Sequence, residues 1–295
     1  MVDQEELHRF ETRQGFIAAL DQSGGSTPKA LRLYGVEDTE YSSEEEMFRL
    51  IHQTRTRIVT SPPFNGERIL AAILFEATLS GEVDGKGFAQ YLRENKGVIP
   101  LLKIDKGLED EQQGVQLMRE IPGLGALLKR AKDSGVFGTK ERSVIHRADS
   151  KGIADVVAQQ FELGQQVLDA GLLPILEPEV SIEAPDKEQA ESILKDQIFR
   201  HLEQLGDQKI AVKVTIPTAD NFYAELIEHP KVARVVALSG GYSRDDANER
   251  LSRNNGLIAS FSRALLDGLT AQQSDHEFNN TLDSTIESIY RASIT

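Results

Sequence analysis

Eight short apolar runs, separated by segments of helical pattern, dominate this sequence. They lie near residues 16–20, 70–75, 98–103, 136–140, 172–177, 210–214, 234–238 and 257–261. Strands that alternate with helices form a parallel sheet, because each helix carries the chain back before the next strand begins. Eight such units in 295 residues suit a closed barrel, which needs roughly 250 residues. The pattern predicts the α/β class and a (β/α)8 TIM barrel, with a single domain over residues 1–295.

Composition restricts the class of protein. Hydrophobic residues make up 39% of the chain and charged residues 27%, which is typical of a globular protein. No apolar stretch approaches the roughly 18 residues of a membrane-spanning helix. The first ten residues are polar and acidic and lack the pattern of a secretory signal. We therefore expect a cytoplasmic protein with no membrane partner.

Charge restricts the partners. The net charge of −14 disfavours nucleic acid and anionic membranes, because both favour basic surfaces. An anionic substrate would require a local positive field against this global charge. Self-association into a homo-oligomer is left open by the sequence.

Cysteine and histidine restrict the chemistry. The chain has no cysteine, which excludes disulfides, thiolate metal sites and a cysteine nucleophile. Its six histidines include no pair at the i, i+4 spacing that places two imidazoles on one helix face. We therefore predict no histidine-bound catalytic metal and no cofactor.

Lys213 interrupts the sixth apolar run, where both faces of a strand should be covered. Such a lysine must find a partner, reach solvent past the strand end, or have a lowered pKa. Taken alone, it fits a head group that reaches solvent, as long cationic side chains commonly do. The functional alternative is an amine that forms a Schiff base with a carbonyl. An amine of pKa near 10.4 is about a thousandfold too protonated for this at pH 7, so burial or neighbouring cations would have to lower it.

Charged residues also follow other apolar runs. Glu177 and Glu179 are two residues apart on an extended segment and point the same way, so one pKa should rise unless cations intervene. Such a pair suits a general acid beside a permanent anion, although a solvated acidic loop would look the same. Two more segments carry cations two or three residues apart, and each alone also fits a surface ion pair: Lys103-Ile104-Asp105-Lys106-Gly107 and Lys140-Glu141-Arg142.

Three segments suit the binding of an anion, although Gly-Gly pairs are also common in turns. One lies between an apolar run and a helix capped by Ser243, where backbone N–H groups can hold a phosphate. The last combines hydroxyls with a guanidinium, and phosphate sites after barrel strands seven and eight recur in this fold. The segments are Ser239-Gly240-Gly241, Asp21-Gln22-Ser23-Gly24-Gly25-Ser26 and Ser260-Phe261-Ser262-Arg263.

Taken in order, these segments resemble those of the class I fructose-bisphosphate aldolases, especially the shorter bacterial form. The resemblance covers roughly residues 15 to 290. It implies a metal-independent lyase that reversibly cleaves fructose 1,6-bisphosphate into dihydroxyacetone phosphate and glyceraldehyde 3-phosphate through a lysine Schiff base. An epimeric substrate such as tagatose bisphosphate is one alternative. A phosphosugar-binding or assembly protein without turnover is another, but pure binding needs none of Lys213, Glu177 and Asp21.

The resemblance also implies roles for single residues. It implies that Lys213 forms the Schiff base and that Glu177 acts as acid and base, with Glu179 holding a charge beside it. It also implies that Lys140 stabilises charge and that Asp21 deprotonates the substrate hydroxyl. The phosphate of the ketone half would lie at Ser239, Gly240, Ser262 and Arg263, and the other phosphate at Ser23, Ser26, Lys103 and Arg142. Two positions depart from many animal members, which have an acid at Gln22 and a glycine at Ser262.

Overall fold

Parallel strands close into a barrel in the structure, a computed structural model that describes residues 1–22 and 27–295. The barrel strands are β1 (Phe16–Leu20), β2 (Ile69–Leu74), β5 (Ile99–Lys103), β7 (Gly138–Ile145), β8 (Leu173–Val180), β9 (Ile210–Thr215), β10 (Val232–Leu238) and β11 (Ile258–Phe261). Neighbours pair in parallel around the ring, β1 with both β2 and β11, and pairing of β5 with β7 closes it. The predicted (β/α)8 barrel is confirmed.

One helix precedes the first strand, and the other helices follow the barrel strands in chain order and lie around the barrel. They are α1 (Gln4–Thr12), α2 (Thr27–Leu33), α3 (Glu44–Thr60), α4 (Glu76–Leu79), α5 (Phe88–Tyr91), α6 (Leu124–Asp133), α7 (Ser150–Asp169), α8 (Lys187–Gln204), α9 (Ala224–Ile227), α10 (Arg244–Ser252), α11 (Arg263–Leu266) and α12 (Asp275–Ala292). The predicted cap Ser243 accepts a hydrogen bond from Asp246 N at the start of α10. A small hairpin, β3 (Glu82–Val83) with β4 (Lys86–Gly87), and the short β6 (Val115–Gln116) complete the strands.

Two apolar cores stabilise the barrel. One fills its interior with side chains such as Ile17, Ile73 and Ile175, and the other lies between the strands and the helices. Successive side chains of a strand point to opposite faces, so a strand between two cores is apolar throughout. This is why the barrel strands appear in the sequence as continuous apolar runs.

Helix α1 closes the amino-terminal end of the barrel. Phe10 belongs to the interior core and packs on Phe137 with ring centroids 5.8 Å apart. Arg234 of β10 donates from Nε to Phe10 O at 2.7 Å, and its Nη2 donates to Glu11 O and to Arg13 O. The last carbonyls of a helix have no partner within the helix, so one half-buried guanidinium satisfies the end of α1.

We expect Arg234→Leu to lower the free energy of unfolding by about 2–4 kcal/mol, because the carbonyls at the end of α1 lose their donor. Urea unfolding followed by circular dichroism measures the change. The matched control is Arg291→Leu, an exposed arginine paired with Glu287 on its own helix, which should change stability by less than about 0.5 kcal/mol. Equal losses in the two variants would contradict this role for Arg234.

Strands β7 and β8 extend further than the sequence predicts. Their apolar runs end near residues 140 and 177, but the strands continue to Ile145 and Val180. The charged residues beyond the apolar runs stay in the sheet, since β7 and β8 pair along their whole lengths and β6 adds antiparallel pairing to the end of β7. Arg142 and Glu179 therefore lie on strands rather than in loops.

Candidate active site

A pocket of about 550 Å³ opens at the carboxyl-terminal end of the barrel. Its volume is in the range of small-molecule sites. The carboxyl ends of all parallel barrel strands meet at this end, which brings together residues far apart in sequence. Every predicted site residue within the described ranges lines it: Asp21, Lys103, Lys140, Arg142, Glu177, Glu179, Lys213, Ser239, Gly240, Ser262 and Arg263. Ser23 and Ser26 lie outside the described residues.

Lys213 is buried in this pocket and is 4% exposed. Its Nζ lies 2.8 Å from Glu177 Oε1, and the carboxylate is buried as well. The interpretation that the lysine head group reaches solvent past the strand end is therefore wrong. The amine instead has a partner that can exchange a proton with it.

Lys140 links two carboxylates next to Lys213. Its Nζ lies 2.7 Å from Asp21 Oδ2 and 2.8 Å from Glu177 Oε2. The buried groups thus follow one another as Asp21, Lys140, Glu177 and Lys213, with charges of alternating sign. This row, from Asp21 to Lys213, is called the charged row below.

The charged row sets the ionisation of its members. Burial alone would raise the pKa of Asp21 and of Glu177, but the charges of Lys140 and Lys213 outweigh it and hold both pKa values below their ordinary range. Burial would lower the pKa of Lys140, but Asp21 and Glu177 outweigh it and raise that pKa. Both carboxylates and Lys140 are therefore charged at neutral pH. The expected rise of one pKa in the pair Glu177 and Glu179 does not occur at Glu177, because neighbouring cations lower its pKa.

Two more ion pairs border the charged row. Arg142 Nε donates to Glu179 Oε2 at 2.5 Å, and Lys103 Nζ donates to Asp105 Oδ1 at 2.6 Å. Burial would lower the pKa of Arg142, but Glu179 above all outweighs it and raises that pKa. Arg142 therefore carries a permanent charge at the rim of the pocket.

The pocket has a positive excess although the chain is acidic. Among the described residues that line it, cations outnumber carboxylates six to four, against a net charge of −14 for the chain. A partly enclosed, low-dielectric site strengthens such a local field. The cations are Lys29, Lys103, Lys140, Arg142, Lys213 and Arg263, and the carboxylates are Asp21, Asp105, Glu177 and Glu179. An anionic ligand would find the field that it requires here.

The segment after β10 requires its glycines. Gly240 and Gly241 have φ of +63° and +124°, a region that other residues rarely adopt. A Cβ on Gly240 would lie 2.7 Å from Ile182 Cγ2, which is closer than packing allows. The bare backbone can therefore run close beside the pocket, between Ser239 and the start of α10.

Three buried oxygens of the pocket lack a hydrogen-bond partner among residues 1–22 and 27–295. They are Asp105 Oδ2, Glu177 Oε2 and Ser260 Oγ. Lys140 Nζ lies 2.8 Å from Glu177 Oε2 and offsets its charge, but the contact is an ion pair and not a hydrogen bond. Buried polar atoms are nearly always paired, so unpaired ones in a pocket indicate where ligand atoms bind.

Arg55 is a site residue that the sequence reasoning missed. It lies on α3, is buried, and donates to Thr78 Oγ1 at 2.6 Å and to the carbonyl of Gln22. Burial lowers its pKa to about 10, partly offset by Asp21, so it stays charged at neutral pH. It holds the backbone directly after Asp21. A signal was present in the sequence, because Arg55 occupies a helical position between Ile51 and Ile58 on the buried face.

The two departures from the animal pattern contact each other. Gln22 Nε2 donates to Ser262 Oγ at 2.6 Å. An acid at the first position and a glycine at the second could not form this bond. This hydrogen bond ties the end of β1 to the segment after β11.

Two further features concern metals and membranes. Within the described ranges, no cluster of three or more histidine, aspartate or glutamate side chains is arranged to hold a metal ion. None of the helices in those ranges has the length and apolar character needed to cross a membrane.

Comparison with known proteins identifies the family of this chain. The family model "Fructose-bisphosphate aldolase class-I" matches residues 9–220. Three proteins named fructose-bisphosphate aldolase class 1 are similar to this chain over nearly its whole length. The protein of Synechocystis sp. is 59% identical to it, over 99% of this chain and 98% of that protein. The proteins of Porphyromonas gingivalis and Clostridium acetobutylicum are 55% and 54% identical, over 99% and 100% of this chain and 100% of each relative. The fold is similar to that of fructose-bisphosphate aldolase from Plasmodium falciparum, whose structure was solved in a ternary complex with TRAP and a small-molecule inhibitor. The TM-score is 0.75 and the sequence identity 21%, over 98% of this chain and 94% of that one. The chain therefore belongs to the class I fructose-bisphosphate aldolase family and is a carbon–carbon lyase.

Proposed function

We propose that this chain reversibly cleaves fructose 1,6-bisphosphate to dihydroxyacetone phosphate and glyceraldehyde 3-phosphate through a Schiff base on Lys213, without a metal. The observation that carries the proposal is the pairing of the buried Lys213 amine with Glu177 at 2.8 Å. Two observations add support: Lys213 lies in a pocket with an excess of positive charge, and similar proteins are named fructose-bisphosphate aldolase class 1. The phosphorylated sugar is the substrate class that such a field favours.

Imine formation needs a base and then an acid at one place. Glu177 Oε1 takes a proton from the Lys213 amine, which then attacks the C2 carbonyl carbon of the substrate and forms a carbinolamine. Glu177 returns the proton to the carbinolamine hydroxyl, which leaves as water. The product is a protonated imine, whose positive nitrogen accepts electrons far better than a neutral carbonyl does.

Cleavage of the C3–C4 bond follows from the charged row. Asp21 takes the proton of the C4 hydroxyl, the C3–C4 electron pair moves into the imine to give an enamine, and glyceraldehyde 3-phosphate leaves. The low pKa of Asp21 makes it a weak base. The proton therefore has to move as the bond breaks, when the forming carbonyl makes the hydroxyl strongly acidic. Lys140 stabilises the negative charge on that oxygen. Once the aldehyde has left, Lys140 passes the proton held by Asp21 on to Glu177, because its Nζ contacts both carboxylates. Glu177 then gives this proton to C3 of the enamine, and water hydrolyses the resulting imine to free Lys213.

Two phosphate sites would hold the carbon chain in line with these groups. We assign the phosphate of the ketone half to Ser239, Gly240, Ser262 and Arg263, and the other to Lys103 and Arg142. Binding at both ends fixes the reacting carbons, which lowers the entropic part of the barrier. Ser23 and Ser26 stay predictions for the second phosphate.

The test is borohydride reduction of the wild-type protein with dihydroxyacetone phosphate, followed by peptide mass mapping. We expect one stable adduct, on Lys213, and unchanged turnover in EDTA. An unmodified Lys213, or activity that EDTA abolishes and zinc restores, would contradict the proposal. Cleavage rates for fructose and tagatose bisphosphates, measured side by side, decide which epimer the site prefers.

Three wider features belong to the same proposal. We place the enzyme in the cytoplasm as a single domain, which should unfold in one cooperative transition. Its oligomeric state is open, and light scattering measures it directly.

A further inference from the structure

Asp105 lies just beyond β5 and is 5% exposed at the wall of the pocket. Its Oδ1 accepts hydrogen bonds from Lys103 Nζ at 2.6 Å and from Gly107 N at 3.3 Å. A backbone bond from Ile104 N to Lys140 O, at 3.0 Å, holds this segment against β7. One oxygen of the carboxylate is thus fixed on a rigid frame.

The other oxygen, Oδ2, is buried and accepts no hydrogen bond from residues 1–22 or 27–295. An unpaired buried carboxylate oxygen is unfavourable unless a donor reaches it. A phosphate oxygen cannot be that donor, because like charges repel. A hydroxyl group can donate, so the chemistry of Oδ2 matches a ligand hydroxyl.

The surroundings decide which hydroxyl this is. Lys103, which Asp105 holds, and Arg142 are the cations at which the proposed function places the phosphate of the aldehyde half. The aldehyde half carries two hydroxyl groups. The one on C4 gives its proton to Asp21 in the proposed mechanism and so is not the partner of Asp105. The hydroxyl on the carbon next to the phosphate-bearing carbon is the one left for Asp105.

We propose that Asp105 Oδ2 accepts a hydrogen bond from this hydroxyl, which makes Asp105 a substrate-binding residue that selects phosphorylated hydroxyaldehydes over their deoxy analogues. In fructose 1,6-bisphosphate it is the C5 hydroxyl. The inference rests on the proposed function and adds a determinant of specificity to it.

The test uses aldol synthesis from dihydroxyacetone phosphate with two acceptors, glyceraldehyde 3-phosphate and 3-phosphopropanal, which lacks the hydroxyl. We expect the wild type to prefer the hydroxylated acceptor in kcat/KM by roughly 10- to 100-fold, the range for a hydrogen bond to a charged group. Asp105→Asn should lose most of that preference, because its kcat/KM falls far more with glyceraldehyde 3-phosphate than with 3-phosphopropanal. A wild type without preference would overturn the inference, whatever the variant does.

The control variant is Arg142→Met, which removes the other cation assigned to this phosphate and leaves the hydrogen bonds of Asp105 in place. Removing a phosphate contact should weaken both acceptors to the same degree and leave the preference intact. If Asp105→Asn also lowers both acceptors equally, Asp105 acts only by holding Lys103, and the inference is wrong. A thermal melt establishes that both variants are folded.

A separate measurement keeps the two proposals apart. Borohydride trapping of dihydroxyacetone phosphate on Lys213 should proceed in Asp105→Asn as in the wild type, because the ketone half does not reach Asp105. A missing adduct in the wild type would refute the Schiff-base function itself. A normal adduct together with an unchanged acceptor preference in Asp105→Asn would refute only the role of Asp105.

Discussion

Lys213→Met should lower turnover by at least about 10⁴-fold and leave the protein folded, because it removes the amine that forms the imine. Methionine is apolar, of similar length, and suited to a position buried between strand neighbours. Glu177 loses one cation but keeps Lys140 at 2.8 Å, so we expect a loss of only about 1–2 kcal/mol in the free energy of unfolding. Steady-state assays, borohydride trapping and urea unfolding measure the three quantities.

Lys96→Met is the matched control for this variant. Lys96 is partly buried outside the pocket and donates to Thr60 O at 3.1 Å and Ser61 O at 2.9 Å. Its replacement should reduce stability and leave kcat unchanged. Turnover by Lys213→Met, or its failure to fold, would mean that the lysine of β9 has a structural role.

Lys140→Met should have the second largest effect. It leaves Asp21 and Glu177 as buried carboxylates without the cation between them, so their pKa values rise. Loss of the charge that supports proton transfer should lower kcat by about 10²–10⁴-fold. Breaking a buried ion pair from one side should cost about 3–5 kcal/mol at neutral pH.

The stability difference between wild type and Lys140→Met should depend on pH. In the wild type the lowered pKa values of Asp21 and Glu177 contribute stability that is present above their ordinary values, near 4, and lost as the pH falls through the folded values. The raised pKa of Lys140 contributes stability at all pH values below about 10.5. The change in stability at acid pH therefore comes from the two carboxylates. The difference should be largest near pH 7 and shrink below about pH 4.

Lys187→Met is the matched control for the loss of kcat in Lys140→Met. Lys187 pairs with buried Glu191 outside the pocket and also donates to Ile216 O at 3.0 Å. This variant should lose stability but keep the wild-type kcat, so lost stability alone would not account for a fall in kcat in Lys140→Met. A stability difference for Lys140→Met that stays constant from pH 7 down to about pH 2 would contradict the coupling between Lys140 and the two acids.

The sequence predicted the barrel because each of its strands lies between two cores and is apolar on both faces. It also predicted which residues meet, since the carboxyl ends of parallel strands converge whatever lies between them. It could not predict that Lys213 pairs with Glu177, or that Lys140 contacts two acids at once. Those contacts depend on distances across the barrel, which no local pattern encodes.

The sequence also did not predict the length of two strands, the role of Arg55 or the unpaired oxygen of Asp105. The strands β7 and β8 were predicted too short, because apolar patterning stops where Arg142 and Glu179 begin to compensate each other across the sheet. Arg55 reaches the site from a helix rather than from a strand end. Asp105 was noticed only as an acid between two cations, and its unpaired oxygen became visible with the fold.

The placement of Glu177 and Glu179 within β8, opposite Arg142 and Val144 of β7, has a consequence for changes in chain length. Side chains alternate along a strand, so one residue inserted before Glu177 would turn both carboxylates towards the helices. Insertions in the loops beyond the strands would not do so, because they leave the register intact. A relative that gained a residue in β8 could keep every amino acid of the pocket and still lose the pairing of Glu177 with Lys213.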